Sequence, residues 1–180
     1  MMIDGKKIYL RTILQSDAED TLAIHQDFEG IKSLMGFIQP VNMENEKVWL
    51  SSLYPTENRD KIYFGIIEKE GNKFAGYVSA KYINNIDRTC EFGIIIKKEF
   101  RGNAYSKEVL QLFFDYLFNQ LNIRKINLKV LTDNVFAIAL YKKYGFEEEG
   151  KLKEQVWQDG YYKDLIVMSL FSEKYKSAVK

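Results

Sequence analysis

A chain of 180 residues, 46% of them apolar and 14% aromatic, is too rich in core-forming side chains for disorder and is expected to form one domain over residues 1–180. A net charge of +1 supplies no field to attract nucleic acid or an anionic membrane, so neither is expected as a partner. One cysteine, Cys90, and one histidine, His25, exclude an internal disulfide and a multi-ligand zinc site, and no metal is expected.

No apolar run approaches the ~20 residues that span a bilayer, and residues 1–7 carry no apolar signal core. The expected location is the cytoplasm. There is no Gly-Lys-Ser/Thr sequence, which excludes a P-loop.

In chain order, residues 7–11 read as a strand with Ile8 and Leu10 on one face. Ser16 and Glu19 have capping-box spacing for a helix over about 17–28, in which His25 is read as an ordinary, partly exposed histidine. Gly30 and Gly36 bracket one or two helical turns. Asn42 can cap a further helix that carries Val48, Trp49 and Leu53 inward, closed by Pro55 and the polar run 56–60. Residues 62–68, 74–83 and 89–97 read as three antiparallel strands joined by turns at Glu70-Gly71-Asn72 and 84–87.

The third of these strands runs into Lys97-Lys98-Glu99-Phe100-Arg101-Gly102-Asn103-Ala104-Tyr105-Ser106 and then into an amphipathic helix. Leu110, Phe113, Phe114, Leu117, Phe118 and Leu121 repeat at helical spacing, with Lys107, Gln111, Asp115 and Asn119 opposite. Strand, glycine turn and helix start bring several backbone N–H groups to one place, where the helix end favours an anion and Arg101 adds a charge. Taken alone, the same residues also suit a plain surface turn.

Ile126, Leu128 and Val130 alternate in a strand expected to lie parallel to the one ending near Lys97, because a helix joins them. Residues 135–144 follow as a helix closed by Gly145, and 152–158 with 161–171 as a hairpin around Asp159-Gly160. The order β-α-α-β-β-β-α-β-α-β-β describes one mixed α/β (α+β) domain.

Two motifs, thirty residues apart, go further. Gly102 and Ala104 fill the last marked places of the pattern Gln/Arg-x-x-Gly-x-Gly/Ala, with Glu99 where Gln or Arg is usual; Asn134, Ala137, Tyr141, Gly145 and Phe146 fill Asn…Ala…Tyr-x-x-x-Gly-Phe. In this order the two resemble the GNAT superfamily of acetyl-CoA-dependent N-acetyltransferases. Glu91-Phe92 with Ile94-Ile95-Ile96, the run 149–154 and the tail 159–164 resemble its spermidine N-acetyltransferase and ribosomal-protein N-terminal acetyltransferase branch.

The resemblance implies a central, mostly antiparallel sheet with helices on both faces and two parallel central strands splayed at the cofactor site. It implies acetyl-CoA as acetyl donor. Ile94, Ile95 and Ile96 would pair with the pantetheine arm, and Arg101, Gly102, Asn103, Ala104, Tyr105 and Ser106 would hold the pyrophosphate. Asn134 and Ala137 would flank the arm. Tyr141, two turns along from Asn134, would protonate the departing thiolate, or else be a core tyrosine. Glu91 would take the proton of the amine, or else be a strand-surface glutamate paired with a lysine. Cys90 reads as a packing residue, which favours direct transfer over an acyl-enzyme.

The acceptor is expected to be a small-molecule or peptide amine. A polyamine such as spermidine needs several carboxylates; Glu147, Glu148, Glu149, Glu154 and Asp159 are available, while the loop 35–40 has none and suits an amino sugar or a peptide N-terminus. A catalytically silent CoA-binding sensor is the alternative from another class, favoured by Glu99. A homo-oligomer, dimer or larger, is expected through the edge of the C-terminal hairpin.

Overall fold

Alternation of side chains along the strands sends two apolar sets to opposite faces of one sheet, and the helices follow those sets. A computed structural model describes residues 1–35, 39–55 and 60–178. The expected apolar lining over 36–38 and the polar run at 56–59 lie outside the described residues. The strands are β1 (Met2–Asp4), β2 (Ile8–Arg11), β3 (Ile62–Glu68), β4 (Lys73–Asn84), β5 (Thr89–Ile96), β6 (Lys125–Leu131), β7 (Glu147–Gln158) and β8 (Tyr161–Phe171). The helices are α1 (Ala18–Gln26), α2 (Phe28–Ser33), α3 (Met43–Ser52), α4 (Tyr105–Asp115), α5 (Val135–Lys143) and α6 (Ser172–Ala178).

The eight strands form one sheet in the order β1-β2-β3-β4-β5-β6-β8-β7, antiparallel except for β5 and β6. One face carries Tyr63, Ile67, Phe74, Tyr77 and Ile95 against α1 and α3. The other carries Phe64, Val78, Phe92, Leu128 and Met168 against α4, with Ala137 and Tyr141 of α5 and Tyr175 of α6 packed in. The expected architecture, an antiparallel-rich sheet with one parallel pair and helices on both faces, is the one observed.

Local readings differ in a few places. Ser16 does not cap α1; Asp17 holds the position before that helix, and its carboxylate accepts from the Leu14 N–H at 2.7 Å and from both guanidinium arms of Arg11 at 2.7 and 2.8 Å. The reciprocal cap at Asn42 and Asn45 forms as expected at α3. There Leu50 and Leu53 point inward while Val48 is 70% exposed, because the buried stripe of this short helix runs one residue out of phase with the apolar run. Beyond α4 the chain widens into one π turn, Tyr116–Gln120, which rotates the face and leaves Leu121 37% exposed.

Strand β1 and helix α6 have no periodicity long enough to announce them. Helix α6 is fixed by Tyr175, which is 2% exposed and whose hydroxyl bonds the Gln111 carbonyl and Asp115. Among the described residues no helix is long and apolar enough to cross a membrane.

Candidate active site

The parallel pair holds for only three positions, Thr89 with Lys125, Cys90 with Ile126 and Glu91 with Asn127. Beyond Glu91 the strands part. Residues 92–96 of β5 keep β4 on one side and, among the described residues, have no strand on the other, so their backbone groups on that side, apart from the Ile96 carbonyl that Arg101 engages, are free for a ligand. The gap opens into a cleft of about 960 Å³ that runs from the turn before α4 to Glu91 and reaches both faces of the sheet.

At one end stands the turn. Gly102 has φ +86°, a left-handed conformation that a side chain would strain, and Ala104 adopts φ +61° as the residue before α4. The N–H groups of Gly102, Asn103, Ala104, Tyr105 and Ser106 donate to no backbone carbonyl among the described residues. Five free donors at the start of an eleven-residue helix fit a diphosphate in geometry and charge. The Arg101 Nε donates to the Ile96 carbonyl at 2.9 Å and its guanidinium to Asp27 at 2.6 Å, so the arginine is aimed across the turn by α1's end. Glu99, at the place expected to carry Gln or Arg, is held by its own backbone N–H and by Lys97 at 3.0 Å, which keep its carboxyl below the usual range.

Along the α4–α5 wall lie Ser106, Leu110, Asn134, Ala137 and Tyr141. Asn134 caps α5 by accepting from the Ala137 N–H at 3.2 Å, which fixes its oxygen and leaves its amide N–H groups to donate. Tyr141 packs against Phe92 and Phe146 with ring centroids 6.1 and 5.6 Å away, and its hydroxyl bonds no other described residue. Burial pushes that hydroxyl up to about 12. At the far end Glu91 is paired with Lys129 at 2.8 Å. Cys90, the residue before Glu91, is 2% exposed and its thiol is pushed up to about 12 by burial, which leaves no nucleophile there.

The cleft therefore brings together nine predicted residues: Glu91, Ile94, Ile95, Ile96, Arg101, Ser106, Asn134, Ala137 and Tyr141. Gly102, Asn103, Ala104 and Tyr105 contribute backbone only. The side chains of Asn103 and Tyr105 line a separate hollow with Glu68 and Lys73.

This arrangement has counterparts among known proteins. The family model described as acetyltransferase (GNAT) domain matches residues 7–147. The chain belongs to the GNAT acetyltransferase family. It is an N-acetyltransferase, as its relatives are. The spermidine N(1)-acetyltransferase of Escherichia coli (strain K12) is 36% identical over 129 residues, 71% of this chain and 69% of that protein. The spermidine N(1)-acetyltransferase of Vibrio cholerae (serotype O1, strain El Tor Inaba N16961) is 32% identical over 139 residues, 77% and 79%. A crystal structure of the spermidine N-acetyltransferase from Vibrio cholerae in complex with CoA and spermine is 25% identical, covers 96% of this chain and 99% of that one, and superposes with a TM-score of 0.88.

Within the GNAT frame, the α1–α2 wall holds a pairing that the sequence did not single out. His25 is partly exposed, as expected, but it is held on both ring nitrogens. Its Nδ1 lies 2.7 Å from Glu46, a carboxylate with no exposure, and its Nε2 lies 3.2 Å from the Tyr77 hydroxyl. His25 and Glu46 sit on different helices, so no local spacing signals the pair. Lys81 and Lys129 also line the cleft, and strand alternation does place them on the face of Glu91. The five carboxylates considered for a polyamine are not among the residues lining the cleft. Glu147 pairs with Lys174, Glu148 with Lys142, Glu149 with Lys125 and Asp159 with Lys32.

Proposed function

We propose that this GNAT N-acetyltransferase moves the acetyl group of acetyl-CoA to a primary amine by direct transfer in a ternary complex. The observation that carries the reading is the single cleft joining five free N–H groups at the α4 turn to Glu91 through the splayed strands. Arg101 and the turn would hold the pyrophosphate, Asn134 and the free edge at Ile94, Ile95 and Ile96 the arm.

An alkyl ammonium of pKa about 10.4 gives up its proton at neutral pH at a cost of roughly 4–5 kcal/mol. Glu91 would accept that proton once Lys129 yields it. The amine nitrogen then attacks the thioester carbon, with a backbone N–H near Ile94 facing the developing oxyanion. As the C–S bond breaks, Tyr141 gives its proton to the thiolate, and the nitrogen sheds its second proton in becoming the amide, which restores the phenol. Inert Cys90 supports this path over a covalent acyl-enzyme.

The names of the relatives support a polyamine acceptor. One observation favours a second reading, an acceptor with a single amine: among the described residues lining the cleft Glu91 is the only carboxylate, and it is already paired.

Release of CoA thiol from acetyl-CoA with a panel of spermidine, amino sugars and peptides with free N-termini tests the reading. Release with at least one amine, with intersecting double-reciprocal plots, supports it. Acetyl-CoA binding without release for any amine would instead mark a silent CoA sensor.

A further inference from the structure

In the acceptor half of the cleft two lysines flank Glu91, the one carboxylate among the described lining residues. Lys81 stands directly across the β4–β5 ladder from Glu91, and Lys129 reaches the same carboxylate from β6 at 2.8 Å. Both lysines line the cleft. Lys81 is exposed, and its ammonium lies over the Tyr63 ring, 5.8 Å from the centroid, open to an incoming anion. Among the described residues no second acid in the lining offsets the two lysines. Glu46 does not line the cleft and is held by His25.

An ammonium that approaches Glu91 thus meets two others. A polyamine brings more positive charge to the same wall and offers the lysines nothing. An acceptor with its own anion solves both problems, because the anion can engage the lysines while they release Glu91 to the amine.

We infer that the acceptor is a small amphoteric amine, a primary amine with a carboxylate or phosphate a few bonds away, its nitrogen at Glu91 and its anion between Lys81 and Lys129. This rests on the proposed transfer to a primary amine.

The test uses the full chain, acetyl-CoA and matched acceptors: amino carboxylates against their methyl esters, amino-sugar phosphates against the unphosphorylated sugars, and spermidine. In at least one pair the anionic member is expected to have the higher kcat/KM by about ten- to a hundredfold, and that pair names the anion. Lys81→Met is expected to shrink the ratio within that pair, Lys81→Arg to retain it, and Lys81→Glu to raise kcat/KM for spermidine relative to the anionic amine. Circular dichroism confirms that each variant is folded. Preference for the uncharged partner or spermidine in the unaltered enzyme, or a ratio that folded Lys81→Met leaves unchanged, overturns the inference while transfer stands. No CoA release with any acceptor overturns the transfer reading as well.

Discussion

Tyr141 keeps its proton throughout the physiological range because burial against Phe92 and Phe146 lifts its hydroxyl to about 12. A neutral phenol is the state a proton donor needs, and a thiolate leaving group is basic enough to take that proton. Tyr141→Phe is therefore expected to lower kcat by about 10²–10⁴-fold. Its acetyl-CoA affinity, measured by calorimetry, is expected to stay put, since the ring packing survives. Wild-type turnover in that variant would remove the acid role. Glu91 is held in place by Lys129, so its function separates from its contacts less cleanly. Glu91→Gln keeps the shape and removes the proposed base, and is expected to flatten the rise of kcat/KM with pH. An unchanged profile would leave Glu91 as Lys129's partner only.

At the scale of elements, α4 does two jobs that its sequence states openly. Its first turn presents the free N–H groups, and its apolar stripe fills the core. Phe114 has no exposure and meets Phe92, Phe118, Tyr144, Phe146 and Tyr175. Phe114→Ala is expected to cost about 3–5 kcal/mol in urea denaturation, because five rings cannot collapse into the space of one.

The same helix shows why much of the fold was readable. Helical spacing over 110–121, strand alternation in β3 to β6 and the glycine turn are local signals, and the two GNAT motifs are local too. What escaped was set by contacts between distant parts of the chain. Val48 has the right chemistry for a core and the wrong phase on its helix. Glu46 and His25 become a pair only once α1 and α3 pack. The lysines around Glu91 were present in the strand pattern, but their meaning depended on register and on the parting of β5 from β6.

For the molecule as a whole, the buried acids make stability depend on alkaline pH. Cys90 and Tyr141 are pushed up to about 12 by burial, and Tyr63 likewise. A group whose folded pKa lies above its unfolded value contributes stability that is complete below the unfolded value and is lost as pH rises toward the folded one. Cys90 begins that loss earliest, near pH 9, and the tyrosines follow from about pH 10 to 12. Urea midpoints are expected to be flat from pH 7 to about 8.5 and to fall through pH 12. Cys90→Ala is expected to delay the onset; an onset that does not move would place the loss elsewhere.

The two walls of the cleft are moored to one another. Helix α1 reaches the turn before α4 through Asp20 to Lys97 at 2.9 Å and Asp27 to Arg101 at 2.6 Å, and Gly30 packs so closely on the second pair that a methyl there would meet both side chains. Helix α2 is tied to the hairpin tip by Lys32 to Asp159 at 2.7 Å and by the Gln158 amide donating to the Lys32 carbonyl. A pyrophosphate that engages Arg101 competes with Asp27, and so pulls on the segment that carries His25 and Phe28. Thermodynamic linkage then runs both ways: whatever factor acetyl-CoA imposes on acceptor affinity, the acceptor must impose on acetyl-CoA. Asp27→Asn is expected to tighten acetyl-CoA several-fold and to bring that mutual factor toward one, read from the Kd of each substrate with and without the other. Equal factors before and after the substitution would mean that the two halves of the cleft fill independently.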